Sequence, residues 1–262
     1  GGYSTPLNVQ GVAVGGNHAY LATGSGGLRA FNIANPSVPI AVGSVDTPSF
    51  ARNIALAGNY AYVSDGISGL RIISVANPTA PDEVGFFDTP GYAYDVAVAG
   101  IYAYVADDEM GLRILNVANP AAPKQVGYHD TEYAMAVAVA GNYAYVGASR
   151  GLYILNIANP AVPVQAGYYD TGDNVRGVAV AGRYAYVTDR NEVRILDVSN
   201  PAAPVQVGVR DDGIEGANWW ANDVAIVGRY LYVAWGYGLR ILDVANPAAP
   251  VSVGSYDTPG IA

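Results

Sequence analysis

Six times along this chain one phrase recurs: a glycine turn, a Tyr-Ala-Tyr strand, a Leu-Arg-Ile-Leu strand, an Asn-Pro-Ala-Ala-Pro turn, and a strand ending near Asp-Thr-Pro. The glycine opening the Tyr-Ala-Tyr strand stands at Gly16, Gly58, Gly100, Gly141, Gly182 and Gly228, so the spacings are 42, 42, 41, 41 and 46 residues. A period of about 40 to 45 residues holding several short strands is the mark of a propeller blade. Because the repeat runs from end to end, residues 1–262 are expected to form one β-propeller domain of six repeats of roughly 42 residues.

The third repeat shows why each unit reads as four antiparallel strands. Residues 95–99 (DVAVA), 102–106 (YAYVA), 112–117 (LRILNV) and 124–130 (KQVGYHD) are short, rich in β-branched and aromatic residues, and bounded by Gly, Asp or Pro. The Asn119-Pro120-Ala121-Ala122-Pro123 connection cannot continue a strand, since proline has no ladder donor. No segment carries a sustained 3.6-residue apolar period. The fold class is therefore all-β, a six-bladed β-propeller of four-stranded antiparallel blades with the alanine-bearing first strand innermost. If the Asn-Pro turn is centred between Ala121 and Ala122, Arg113 faces Asp130. The same offset pairs Arg29 with Asp46, Arg71 with Asp88, Arg194 with Asp211, and Arg240 with Asp257, and sets Tyr153 opposite Asp170. Five such repeated pairs are read as scaffold.

Composition narrows the function classes. The net charge of -9, with Lys124 the only lysine, disfavours nucleic acid and anionic membranes, whose binding rests on basic residues. The longest uncharged stretches are broken by Gly, Pro and Asn before they give the 18 or more continuous apolar residues that a membrane-spanning helix needs. There is no cysteine, so disulfides and thiolate metal sites are excluded.

The phrases GNYAYV (141–146), LRILDVANPAAP (239–250) and VGSYDTPG (253–260) resemble the LVIVD repeat of bacterial and archaeal surface proteins, and the likeness covers essentially the whole chain. The resemblance implies an extracellular or cell-surface β-propeller and brings no set of catalytic residues. This chain departs from the pattern with Arg at the second position of most copies, and with Asn32, Ser74, Asn116 and Asn156 at the final Asp. Neither departure touches the fold.

Comparison of the six copies separates scaffold from candidate site. Turns on one face are nearly uniform, whereas the residues just before the first strand of each repeat read Asn8-Val9-Gln10, Phe50-Ala51-Arg52, Tyr92-Ala93-Tyr94, Tyr133-Ala134-Met135, Asn174-Val175-Arg176 and Trp220-Ala221-Asn222. The middle residue stays small and apolar, and its neighbours should project together to the other side of the strand. The loops between the second and third strands add Asp65, Asp107, Asp108, Glu109, Arg150, Asp189, Arg190, Glu192, Trp235 and Tyr237 to the same face. The last connection is longer and carries Trp219 and Trp220, which with Trp235 are the three tryptophans. Exposed Trp and Tyr suit a protein partner or a sugar ring. The ligand-binding set is thus Arg52, Tyr94, Arg176, Trp219, Trp220, Asn222, Trp235 and Tyr237. A simpler reading has Arg52 and Arg176 pairing with Asp95, Asp173 or Asp223.

No cofactor is expected. Ca²⁺ is a weaker alternative at Asp211, Asp212 and Glu215, or at Asp107, Asp108 and Glu109, but neither run has EF-hand spacing. Only His18 and His129 exist, placed too far apart in the repeats to share a triad. The expectation is a non-enzymatic binding or assembly module with a protein or glycan partner, and with self-assembly as a further property. The alternative is a glycosidase-like enzyme using Asp95, Asp223 and Glu109.

Overall fold

Each Gly-Asn-Tyr or Gly-Arg-Tyr phrase reverses the chain in two residues, and Gly58 shows why glycine opens it: its φ of 58° lies in the left-handed region. The computed structural model describes residues 8–190, 192–211, 220–236 and 238–258. They contain 24 strands in six four-stranded sheets, each strand hydrogen-bonded antiparallel to the next in sequence, and no helix. The chain divides into two compact units, Gly1–Ala134 with Pro160–Val162, and Met135–Asn159 with Pro163–Ala262.

The first unit holds three blades. Blade 1 is β1 (Gly11–Gly15), β2 (His18–Ala22), β3 (Leu28–Asn32) and β4 (Ile40–Val45). Blade 2 is β5 (Asn53–Ala57), β6 (Tyr60–Ser64), β7 (Leu70–Ser74) and β8 (Asp82–Phe87). Blade 3 is β9 (Asp95–Ala99), β10 (Tyr102–Ala106), β11 (Leu112–Asn116) and β12 (Lys124–His129). The second unit holds β13 (Ala136–Ala140), β14 (Tyr143–Ala148), β15 (Gly151–Asn156) and β16 (Val164–Asp170) as blade 4. Blade 5 is β17 (Val175–Ala181), β18 (Tyr184–Asp189), β19 (Glu192–Asp197) and β20 (Val205–Asp211). Blade 6 is β21 (Ala221–Val227), β22 (Tyr230–Trp235), β23 (Gly238–Asp243) and β24 (Val251–Asp257).

The middle strands are buried on both faces, which explains their continuous apolar run. Ala103, Tyr104, Val105, Ile114 and Leu115 are all buried, and Tyr62, Leu70 and Ile72 of blade 2 join Val96, Val105 and Leu115 of blade 3 in one cluster. Neighbouring blades of the second unit meet in the same way, Tyr145 and Ile154 with Val178 and Val187, and Tyr186 and Ile195 with Val224 and Val233. At about 25 cal/mol per Å² this apolar burial is the main stabilising term.

Neighbouring blades also approach through backbone. The Pro78 carbonyl oxygen lies 2.3 Å from where a Cβ of Gly43 would sit, and the Pro120 carbonyl 2.0 Å from that of Gly85. In the second unit Gly167 and Gly208 meet the carbonyls of Pro201 and Pro247 in the same way, each at 1.9 Å. Gly43, Gly85, Gly167 and Gly208 of the outer strands are therefore the seats for the Asn-Pro turns of the following blades. That turn is stiffened locally, as where the Asn77 side chain accepts from the Thr79 amide at 3.2 Å.

The outer-strand register differs from the sequence expectation. Arg113 faces Tyr128, two residues before Asp130, and a β-bulge interrupts the pairing between Ile114 and Leu115. Likewise Arg71 faces Phe86, and Tyr153 faces Tyr168 rather than Asp170. The turn is centred on Pro120 rather than between Ala121 and Ala122, as the pairing of Asn116 with Lys124 shows, and the extra residue of the bulge restores only one position of that shift. Four of the expected ion pairs still form diagonally, because a long arginine reaches an acid two residues along the same face. Arg29–Asp46 spans 3.4 Å, Arg71–Asp88 2.7 Å, Arg113–Asp130 3.8 Å and Arg240–Asp257 2.9 Å. Arg194 breaks the pattern by pairing with Asp189 at 3.0 Å and Glu192 at 2.6 Å.

The glycine seats give a matched test. Gly85→Ala places a methyl against the Pro120 backbone and is expected to lower the unfolding free energy by about 2–4 kcal/mol. Gly254→Ala, whose new methyl would meet only the Ile241 side chain, at 3.5 Å, should stay within about 0.5 kcal/mol of the parent. Urea unfolding of the two variants measures the contrast, and equal effects would remove the seat explanation.

Candidate functional site

Many of the variable residues are held by a recurrent backbone device. Ahead of four of the six first strands, the small middle residue makes hydrogen bonds to the second loop of the preceding blade. Ala51 and Gly24 exchange bonds of 3.0 and 3.1 Å, and Ala134 and Asp108 exchange bonds of 2.9 and 3.1 Å. The Ala93 amide donates to the Gly66 carbonyl at 3.0 Å. In the second unit the Ala221 amide donates to the Arg190 carbonyl at 2.6 Å. Asp108 and Arg190 adopt φ of 52° and 50° where Gly24 and Gly66 stand in other copies, so the loop geometry persists without glycine. The middle residues Ala51, Ala93, Ala134, Val175 and Ala221 are fully buried, while Phe50, Arg52, Tyr92, Tyr94, Arg176, Trp220 and Asn222 flank them half-buried. The expected alternation is present.

Below this rim lie buried carboxylates. Asp65 accepts from the Thr47 hydroxyl at 2.7 Å and the Ser49 amide at 2.9 Å, with Arg71 Nε 4.0 Å away. Asp107 repeats the set with the Thr89 hydroxyl, the Gly91 amide at 2.9 Å and Arg113 Nε at 3.8 Å. Both are 0% exposed, and Asp189, beside Arg194, is also buried. Burial pushes all three carboxyls above their ordinary range, while the hydrogen bonds and arginines pull them back. All three were expected on the open face from sequence; Asp65 and Asp107 instead anchor the Asp-Thr-Pro segment that leads into the rim, and Asp189 holds Arg194.

The first unit places Arg52 within an aromatic cluster. Its guanidinium carbon lies 5.3 Å from the Phe50 ring centre, 5.4 Å from Tyr92 and 4.9 Å from Tyr94. Tyr92 and Tyr94 themselves stand 4.9 Å apart, tilted by 48°. Phe50 lies over Gly24 and Tyr92 over Gly66, where a Cβ would meet their rings at 2.8 and 3.0 Å. Each such cation–aromatic contact is worth about 0.5–2 kcal/mol, more as water is excluded. Arg52 Nη1 donates to Gln10 Oε1 at 3.2 Å, and Nε is buried with no hydrogen-bond partner. Among the described residues no carboxylate lies within ion-pair distance of Arg52, in contrast to Arg29, Arg71, Arg113 and Arg240. Asp95 instead accepts from Asn53 Nδ2 at 2.6 Å and from the Val96 amide at 2.7 Å. The simple Arg52–Asp95 pairing is thus replaced by ring stacking. Phe50, Tyr92 and Gln10 complete a cluster of which sequence reasoning singled out only Arg52 and Tyr94. The missed signal was the aromatic two residues before Arg52.

In the second unit the Arg176 guanidinium lies 4.1 Å from the Trp220 ring centre, and Asp173 forms an ion pair with Arg190. Asn222 shares the half-buried side of that segment. Trp235 is a correction: it is 6% exposed and packs with Ala221, Val224 and Val233 in the core of blade 6, because its position in the second loop points inward, as Asp65 and Asp107 do in their repeats. Trp219, Tyr237, Asp212 and Glu215 lie outside the described residues. Of the two histidines, His18 is half-buried in β2 and His129 has a buried Nδ1. Among the described residues no group of three His, Asp or Glu is placed to hold a metal ion, and Glu109, in the Ca²⁺ alternative, faces the Tyr133 hydroxyl.

Six four-stranded antiparallel sheets in succession along the chain define a six-bladed β-propeller. The same architecture is found in a functionally unknown protein from Desulfotomaculum acetoxidans, with a TM-score of 0.81, 13% identity, and coverage of 99% of this chain and 90% of that one. It recurs in a protein from Lactobacillus plantarum (TM-score 0.79, 13% identity, coverage 89% and 79%) and in the Myceliophteria thermophila Cps50 (Swd1) β-propeller domain (TM-score 0.77, 12% identity, coverage 98% and 88%). At these identities the likeness is one of fold. Residues 8–47, 50–89, 90–131, 132–171, 172–212 and 220–258 each match the LVIVD repeat, and the chain belongs to that family. No curated protein matches it in sequence.

The buried acids give a pH prediction. A carboxyl whose folded pKa is raised stabilises the fold when protonated, so its contribution is complete below the ordinary value of 3.8 and is lost as pH rises through the raised one. Asp197 and Asp243, half-buried and bonded to Arg183 and Arg229, are lowered and act oppositely, losing their contribution on acidification. Asp107→Asn should therefore gain stability relative to the parent as pH rises above 3.8. Parallel unfolding profiles from urea titrations across that range would contradict it.

Proposed function

We propose that this chain is a non-enzymatic binding module of the extracellular space or cell surface, and that it contacts a protein or glycan partner through the rim ahead of each first strand. One observation carries the reading. At Ala51, Ala93, Ala134 and Ala221 a buried alanine is held by backbone bonds to the second loop of the preceding blade, while the side chains that flank it are chemically different in each copy. A scaffold that repeats while its displayed residues vary is what a rigid recognition surface requires. Arg52, Tyr94, Arg176, Trp220 and Asn222 are the assigned contacts, rich in the arginine and aromatic types that dominate binding energy. A screen of glycans and candidate protein partners with Arg52→Ala/Tyr94→Ala and Arg176→Ala/Trp220→Ala doubles tests it. At least one double should weaken binding tenfold or more without a change in melting temperature. Binding that is equal in both doubles overturns the rim assignment, and turnover of a glycoside overturns the non-enzymatic reading.

A further inference from the structure

We infer that the Arg52 cluster is a subsite for the carboxylate of a terminal acidic sugar, a uronic or sialic acid unit. The inference rests on the rim-binding reading above and names its ligand class. A guanidinium is charged at every physiological pH and presents five donors in a planar fork that matches a carboxylate. In this protein the other well-described arginines of the repeat, Arg29, Arg71, Arg113 and Arg240, each have an internal acid, and Arg52 has none among the described residues. Its positive charge is instead held among the rings of Phe50, Tyr92 and Tyr94, which orient the cation without neutralising it. One hydrogen bond, from Nη1 to Gln10 Oε1, leaves donors of the fork uncommitted. Asp95, in the following blade, accepts from Asn53 and from the Val96 amide.

The surroundings favour a sugar over a bare anion. Two phenols and the Gln10 side-chain amide, whose oxygen is taken by Arg52 and whose NH₂ remains to donate, match ring hydroxyls. The tilted Tyr92 and Tyr94 rings offer apolar faces to the C–H side of a pyranose. A single acidic sugar ring carries all three features together, a carboxylate, hydroxyls and an apolar face. The chain's net charge of -9 repels long polyanions, so a terminal or isolated acidic unit fits better than a continuous acidic polymer.

The test uses the whole chain and matched probes: oligosaccharides ending in glucuronic or sialic acid, the same oligosaccharides with the carboxylate reduced to the alcohol, and a short peptide with a free or amidated C-terminus. Calorimetric or NMR titration should show the acidic sugars binding at least tenfold more tightly than their reduced counterparts. Arg52→Gln should bring that ratio close to one, Arg52→Lys should restore part of it, and Trp220→Ala should leave it unchanged, with circular dichroism confirming that each variant folds. Equal binding of acidic and reduced sugars, an acid-to-neutral ratio that survives in Arg52→Gln, or carboxylate-dependent binding of the peptide alone each overturns the proposal. If ligands found in the rim screen depend on Arg176 and Trp220 but not on Arg52, the rim reading stands and this subsite falls; if no rim variant affects any ligand, both fall.

Discussion

A proline carbonyl occupying the space of a missing side chain sets the spacing on which the blades depend. Where Gly43 and Gly85 receive the Asn-Pro turns of the following blades, the backbones meet at distances that no Cβ tolerates. Four residues beyond these glycines stand Thr47 and Thr89, whose hydroxyls reach Asp65 and Asp107 of the following blade. A few residues further come Phe50 and Arg52, or Tyr92 and Tyr94. The order is physical as well as sequential: close backbone contact brings the blades together, a buried acid then ties down the crossing segment, and only after that do the displayed side chains have fixed positions.

The buried acids illustrate how a recurrent polar group serves a scaffold. Removing a carboxylate from water is costly unless its oxygens are hydrogen-bonded, and Asp65 and Asp107 each accept from a hydroxyl and an amide with an arginine alongside. Arg71 and Arg113 in turn stack on Phe86 and Tyr128, at 4.6 and 4.9 Å, and bridge outward to Asp88 and Asp130. One arginine thus links the inner anchor to the outer strand, which is why the Leu-Arg-Ile-Leu phrase carries its charge in the middle of an apolar strand. Arg52 lies outside this pattern, and its ring-lined setting differs for that reason.

Much of the scaffold was legible from residue periodicity. The strand boundaries in the third repeat fall within a residue or two of the sequence reading, because short alternating runs between Gly and Pro have few other ways to pair. The register of the outer strand was less legible, since the turn centres on Pro120 and is followed by a bulge, which together set Arg113 opposite Tyr128, and no residue type announces either. At the rim, the alternation about Ala51 and Ala93 predicted which side chains would be displayed. It did not predict that Trp235 would be buried or that Asp65 and Asp107 would face inward, because the direction of a loop residue is set by the blade it packs beneath.

The sequence by itself determined the six repeats, the four strands in each, the turns between them and the segment that varies, because strand alternation, proline and glycine are local constraints that act over a few residues. Only the tertiary structure decided which charges are partnered. Arg71 and Arg52 lie 19 positions apart, and one is held by acids while the other lies among aromatic rings. That difference arises where residues 42 apart, Gln10 with Arg52 and Asn53 with Asp95, are brought side by side by neighbouring blades. Spacing along a chain fixes an element's pattern, but the environment of a side chain is built by what packs against it.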